Sequence, residues 1–367
     1  MSTPLGTRTT RANLMLTEQS VRGAVSSVRD PEIGRSLGDL NMIRTVQVSG
    51  TTARIGIELP TPNYPDRERI TAAVKSALTS QGATTVEVDY TWVVKGKGTG
   101  GAIGLNVKNV IAVGSGKGGV GKSTVAAALA LGLKHFGAKV GLMDADVYGP
   151  SIPHLVGAKG TPVVKQIPMD DGRVMERIVP IDVDGMPTIS MGFMVKADQA
   201  VIWRGPMLHK ALSQFLQQTD WGTLDYLIID MPPGTGDVAL TLSQMVGLAG
   251  AVVVCTPQQV ALLDAVKAVS MFRTVKIPIL GMVENMSGEI FGRGGAKAKA
   301  AELGLPFLGE VPANALIREQ GDAGQMAALF SEENASRTAL LHVCQRIAIE
   351  VAKSLLETPS LPTLEIL

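Results

Sequence analysis

The chain has 367 residues, a length that suggests two or three domains, and its 45% hydrophobic and 18% charged content suits compact folding. A formal net charge of +1 makes no electrostatic case for nucleic acid or an anionic membrane as the main partner. No apolar run reaches the ~18 residues that span a bilayer, and with 4% aromatic residues the core must be built mostly from Ala, Val, Leu and Ile.

The opening stretch Met1–Thr10 has no apolar segment of the kind a secretory signal needs and reads as a leader, with Met15 as an alternative start. Leu16–Arg29 places Val21, Val25 and Val28 at helical spacing, and Asp30-Pro-Glu32 breaks that pattern. Met42–Gln47 and Ala53–Leu59 read as strands joined by a turn at Ser49-Gly50. Ile70, Val74 and Leu78 mark a second helix, and Thr85–Val94 a third strand. Residues 16–95 therefore predict a small α+β domain. Lys95–Gly101 has four glycines in seven residues, so 96–106 is expected to be a flexible linker.

From residue 107 to 357 apolar strands alternate with helices, the pattern of an α/β domain whose mostly parallel sheet is covered on both faces. Strands are predicted at Val110–Gly114, Lys139–Met143, Tyr226–Ile229, Ala251–Cys255, Ile279–Val283 and Phe307–Gly309. Helices are predicted at Ser123–Phe136, Arg204–Gln217, Gln258–Thr274, Gly295–Leu303 and Glu332–Leu356. The last carries an apolar stripe that suits packing on the sheet or lying on a membrane surface; its few basic residues favour the sheet.

Gly116-Lys-Gly-Gly-Val-Gly-Lys-Ser123 fits the phosphate-loop pattern G-x-x-x-x-G-K-[ST], between a predicted strand and a predicted helix. Gly116, Gly118, Gly119, Val120 and Gly121 can turn backbone N–H groups toward phosphate oxygens, and the helix start at Ser123 and Thr124 adds its positive dipole end. Lys122 is expected to bridge the β- and γ-phosphates of ATP, and the Ser123 hydroxyl to ligate Mg²⁺. Three further segments complete the site. Asp144-Ala-Asp146 follows a strand, and Asp146 is the favoured carboxylate for orienting the attacking water, although a capping or solvated acid reads the same. Leu224–Asp230 is an apolar strand ending in a carboxylate, which places Asp230 beside the Mg²⁺. In the following Met231-Pro-Pro-Gly234, the Gly234 N–H can meet the γ-phosphate. Asn285 ends a strand and either reads adenine or forms a turn. Lys117 is a second lysine at the loop's start. It is poorly placed for its own phosphates and is expected to reach the nucleotide of a partner subunit, as an arginine finger does, which implies a homodimer.

With these segments, Asp144-Ala-Asp-Val-Tyr-Gly-Pro-Ser-Ile-Pro153, Ser190-Met-Gly-Phe193, Trp203-Arg-Gly-Pro206, Pro257–Asp264 and Glu284-Asn-Met-Ser287 resemble the Mrp branch of the MinD/ParA-type deviant Walker ATPases. Residues 16–95, with Asp30-Pro-Glu-Ile33, resemble the small domain often fused in front of such proteins and found in iron–sulfur assembly factors. The absence of a signal, of a span and of a disulfide framework points to the cytoplasm, and the resemblance implies a dimeric ATPase that hydrolyses ATP slowly and carries an iron–sulfur cluster to apoprotein clients or assembly factors.

The chain departs from that family where the cluster would sit. A Cys-x-x-Cys pair usually follows the segment matching Glu284–Ser287; here the sequence runs Ser287-Gly-Glu-Ile-Phe-Gly-Arg-Gly-Gly295. A cysteine common in the small domain falls at Tyr64. The two cysteines present, Cys255 and Cys344, form no disulfide framework, and either can be a small buried apolar side chain. Cys255, at the nucleotide end of the sheet, is placed to meet its dimer mate. The cluster ligands are thus unassigned, and a nucleotide-switched adaptor that carries no cluster is the competing expectation. Met186, Met191 and Met194 suit either core filling or a partner surface, and Trp203 and Arg204 have no derived role.

Overall fold

In the computed structural model the described residues are 16–96, 105–168, 174–194, 205–234 and 236–357. The leader, most of the expected linker, and Trp203 and Arg204 lie outside them. The chain divides into two compact units: residues up to Pro60 with Tyr64–Val93, and Thr61–Asn63 with everything from Val94 onward.

The first unit runs α1 (Glu18–Ser26), β1 (Ile43–Ser49), β2 (Thr52–Leu59), α2 (Arg67–Thr79) and β3 (Thr85–Trp92). Thr17 starts α1 by a capping box, its hydroxyl accepting from the Ser20 N–H while Ser20 reciprocates. Val21 and Val25 of α1 and Ile70, Val74 and Leu78 of α2 are buried, as their spacing predicts. β1 pairs antiparallel with β2, and β2 parallel with β3 through the α2 crossover. The Asp30–Ile33 turn is closed by Asp30, whose Oδ1 accepts from Glu32 N (3.0 Å), Ile33 N (2.8 Å) and the Tyr64 hydroxyl (2.8 Å).

The second unit contains β4 (Val107–Gly114), α3 (Lys122–His135), β5 (Val140–Asp144), α4 (Ile152–Leu155), β6 (Val163–Pro168), β7 (Val174–Val179), β8 (Ile181–Val183) and β9 (Met186–Ser190). It continues with α5 (Gly205–Gln218), β10 (Leu224–Asp230), α6 (Gly236–Met245), β11 (Leu248–Cys255), α7 (Gln259–Thr274), β12 (Ile279–Ser287), α8 (Gly295–Glu302), β13 (Phe307–Pro312), α9 (Ala315–Asp322) and α10 (Ala335–Glu357). Eight strands form one sheet in the order β13-β12-β11-β4-β10-β5-β9-β8, parallel except for the β8–β9 pair. β6 and β7 form a separate antiparallel pair.

Alternating residues of β4 feed two cores. Ile111 and Val113 pack with α3 and α10 on one face, and Val110 and Ala112 pack with α5, α6 and α7 on the other. Burial on both faces explains the unbroken apolar strands. The stripe of α10 (Leu340, Val343, Ile347, Val351) belongs to the first core, so this helix packs on the sheet. It starts three residues later than predicted because the Asn334 side chain accepts from Arg337 N and caps it. None of the described helices is long and apolar enough to cross a membrane.

No strand is predicted between Met143 and Tyr226, yet residues 163–190 form β6 to β9. These strands are short, β9 contains Pro187 and β6 ends at Pro168, which mutes the alternation that reveals a strand. The short helices α4, α6 and α9 also escaped the apolar pattern. β12 runs to Ser287, so Asn285 lies within a strand and not at its end.

Candidate functional site

Strand order builds the site. β10 lies between β4 and β5, with Asp230 paired to Val113 on one side and Asp144 on the other. The loop leaving β4 and the carboxylates ending β10 and β5 therefore converge at the C-terminal edge of the sheet, where α/β folds bind ligands.

The loop Ser115–Gly121 is fixed from several directions. Gly119 and Gly121 have φ near 80°, a region that favours glycine. Gly116 rests on the backbone of α7: a Cβ there would fall 1.9 Å from the Asp264 carbonyl oxygen. The Ser115 carbonyl accepts from Gly234 N (3.0 Å), which ties the Pro-Pro-Gly turn to the loop. The Asn285 Nδ2 donates to the Val120 carbonyl (2.8 Å). Two groups expected to face ligand, the Gly234 N–H and the Asn285 amide nitrogen, are thus engaged with the loop itself.

Lys122, at the first turn of α3, points into a nest of acids. Its Nζ lies 2.7 Å from Asp230 Oδ1, 3.3 Å from Asp146 Oδ2 and 3.1 Å from Ser123 Oγ. Asp230 is fully buried, and its Oδ2 is a buried atom with no hydrogen-bond partner. Burial pushes the Asp230 carboxyl upward, and the Lys122 ammonium works against it. Asp146 Oδ1 accepts from Tyr148 N and Gly149 N, both at 3.2 Å, so it also shapes its own loop. Asp144 is buried, and burial followed by the charge of Asp230 pushes it up to about 7.

A cavity of about 320 Å³ opens beside this cluster. Lys117, Gly118, Gly119, Gly121, Lys122, Ser123, Thr124 and Asp146 line it, so most of the residues singled out in the sequence meet in one place. A free carboxylate oxygen on Asp230 and the Ser123 hydroxyl, both beside Lys122, are hard oxygen donors of the kind Mg²⁺ takes directly or through water.

The cysteines lie elsewhere in character. Cys255 and Cys344 are each 1% exposed, and burial pushes both thiols up to about 12. Cys344 packs against the Ala128 carbonyl of α3. The expectation that Cys255 meets a dimer mate is corrected: it is inside the second core. Among the described residues no group of three or more His, Cys, Asp and Glu is placed to hold a metal ion. Met186 and Met191 fill the core, whereas Met194 is exposed.

Sequence reasoning did not find Ser190. Its Oγ donates to Asp144 Oδ2 (2.9 Å), a contact invisible without β9, which the proline-rich stretch concealed. The only signal was its place in the quoted segment Ser190-Met-Gly-Phe193.

Comparison with known proteins agrees with this geometry. Residues 106–348 match the profile of the family described as NUBPL iron-transfer P-loop NTPase, and residues 18–89 that of the iron–sulfur cluster assembly protein family. An iron–sulfur cluster carrier protein of Synechocystis is 45% identical over 358 residues, covering 93% of this chain and all of its own length. One of Deinococcus radiodurans is 44% identical, covering 93% of this chain and 98% of its own. Among solved structures, an Archaeoglobus fulgidus nucleotide-binding protein in complex with ADP is 36% identical, with a TM-score of 0.51 over 60% of this chain and 88% of its own. The Pyrococcus furiosus cell division ATPase MinD, at 22% identity and a TM-score of 0.50 over 65% of this chain and 98% of its own, shares the fold.

Proposed function

The chain belongs to the NUBPL iron-transfer P-loop NTPase family, and from that premise we propose that it binds and hydrolyses ATP with Mg²⁺ as a homodimer and carries iron–sulfur clusters to apoproteins. The observation that carries the nucleotide part is the Lys122–Asp230–Asp146 cluster under a glycine loop at a helix start. In this reading the Lys122 ammonium moves from the acids to the β- and γ-phosphates. Backbone N–H groups of Gly116–Gly121 cradle the phosphate oxygens, aided by the positive end of α3. Ser123 Oγ would hold Mg²⁺ directly and the free Asp230 oxygen indirectly, and the ion would supply neutralisation of phosphate charge.

Asp146 orients the attacking water, and its bonds to Tyr148 N and Gly149 N fix where it can do so. Gly234 exchanges the Ser115 carbonyl for the terminal phosphate, so the Pro-Pro-Gly turn responds to hydrolysis. Asn285 gives its amide nitrogen to Val120 and keeps its carbonyl oxygen for the adenine amino group. Lys117 stabilises the transition state on the partner's nucleotide.

One observation favours a second reading, a nucleotide-switched adaptor with no cluster: both thiols are buried and protonated, so neither is a ready thiolate ligand. Anaerobic reconstitution with iron and sulfide, followed by visible absorbance and iron analysis, separates the two. Stoichiometric iron with charge-transfer bands supports the carrier; no retained iron supports the adaptor.

A further inference from the structure

Asp144 makes no contact with Lys122 among the described hydrogen bonds and ion pairs, yet three segments converge on it. Its Oδ1 accepts from Asp146 N (3.0 Å), which sets the course of the loop carrying the water-orienting carboxylate. Its Oδ2 accepts from Ile152 N (3.2 Å), at the start of α4, and from Ser190 Oγ (2.9 Å). Ser190 in turn accepts from Gly192 N (2.8 Å) and so caps the turn Met191–Phe193. Asp144 and Ser190 are fully buried, so these bonds have no competition from water.

A serine hydroxyl has one proton. Given to Asp144, it leaves a lone pair for the Gly192 N–H, and both partners are satisfied only with the turn and the carboxylate in register. A second contact joins the same two segments: a Cβ on Gly192 would lie 3.2 Å from Pro150 Cβ, so the turn sits directly on the loop that follows Asp146.

We infer that Ser190 is a positioning residue for ATP hydrolysis: through Asp144 it holds the loop carrying Asp146, and through Gly192 it joins the Met191–Phe193 turn to the nucleotide site. The segments so joined each carry an exposed side chain, Tyr148 at 69% and Met194 at 57%. This inference rests on the hydrolysis reading above.

Steady-state ATP hydrolysis by the full chain tests it. Ser190→Ala is expected to lower kcat about tenfold while KM for ATP stays within about twofold, since the group acts on geometry and not on binding. Ser190→Thr, which keeps the hydroxyl, restores most of the rate. Ser190→Ala/Asp144→Asn is no slower than the worse single variant, because both changes break one chain of contacts. An unchanged kcat in Ser190→Ala, or an equal loss in the Thr variant at unchanged thermal stability, overturns the assignment. Should Ser190→Ala fail to fold, Ser190→Cys, of similar size but a weak donor, carries the same expectation. A wild-type chain with no turnover would defeat the hydrolysis reading alone. The Ser190 link is then read from amide exchange at Gly192 on adding Mg-ATP: a response in the wild type that is lost in Ser190→Ala supports it, and an equal response in both contradicts it.

Discussion

The Lys122 ammonium stands 2.7 Å from one oxygen of the fully buried Asp230, whose other oxygen has no hydrogen-bond partner. This pair ties the phosphate loop to the central strand of the sheet and leaves an acceptor in place for a cation. Removing one member of a buried pair strands the other's charge, at about 3–5 kcal/mol. Lys122→Met is therefore expected to lower Tm clearly, and Lys122→Met/Asp230→Asn to recover much of the loss. Thermal unfolding of both proteins checks this, and additive losses would contradict it.

Lys117 borders the cavity of its own chain but is proposed to act on the nucleotide of a partner subunit. Lys117→Ala is expected to bind ATP with near wild-type affinity and to lose ATP-driven dimerisation in multi-angle light scattering. An ATP-dependent dimer that persists in the variant would count against action across subunits.

Gly116 has no room for a side chain because the Asp264 carbonyl oxygen lies where a Cβ would be. Gly116→Ala must push the loop off α7. ATP affinity is expected to fall at least about tenfold with a measurable drop in Tm, since such overpacking costs about 1–3 kcal/mol. Isothermal titration gives the affinity directly.

The thiols of Cys255 and Cys344, raised from an ordinary value near 9 to about 12, stay protonated in the folded state at neutral pH. Native protein is expected to react with a disulfide reagent at a small fraction of the rate seen in denaturant. The sign for stability follows from linkage. The folded state holds these protons more tightly, so the contribution is complete below about pH 9 and is lost as pH rises toward 12. Rapid labelling of either cysteine at pH 7 would show an opening that exposes it, and would revive it as a cluster ligand.

The phosphate loop, Asp146 and Asp230 were legible in sequence because each ends or directly follows an apolar strand whose parallel neighbours fix its neighbourhood. What escaped was whatever depends on contacts distant in sequence. Ser190 meets Asp144 only through β9, a strand of five residues containing a proline. Asn285 binds Val120 across the loop, which no local pattern announces. For Cys255 the sequence left two readings open, a buried apolar side chain and a contact with a dimer mate, and the sheet covered on both faces holds it to the first.

The central claim is that this loop hydrolyses ATP. Mg²⁺-dependent phosphate release by the purified full chain, compared with Lys122→Ala, tests it most directly. Wild-type turnover above background that disappears in Lys122→Ala and on chelation of Mg²⁺ is the predicted result; equal, background-level rates in both proteins would contradict it.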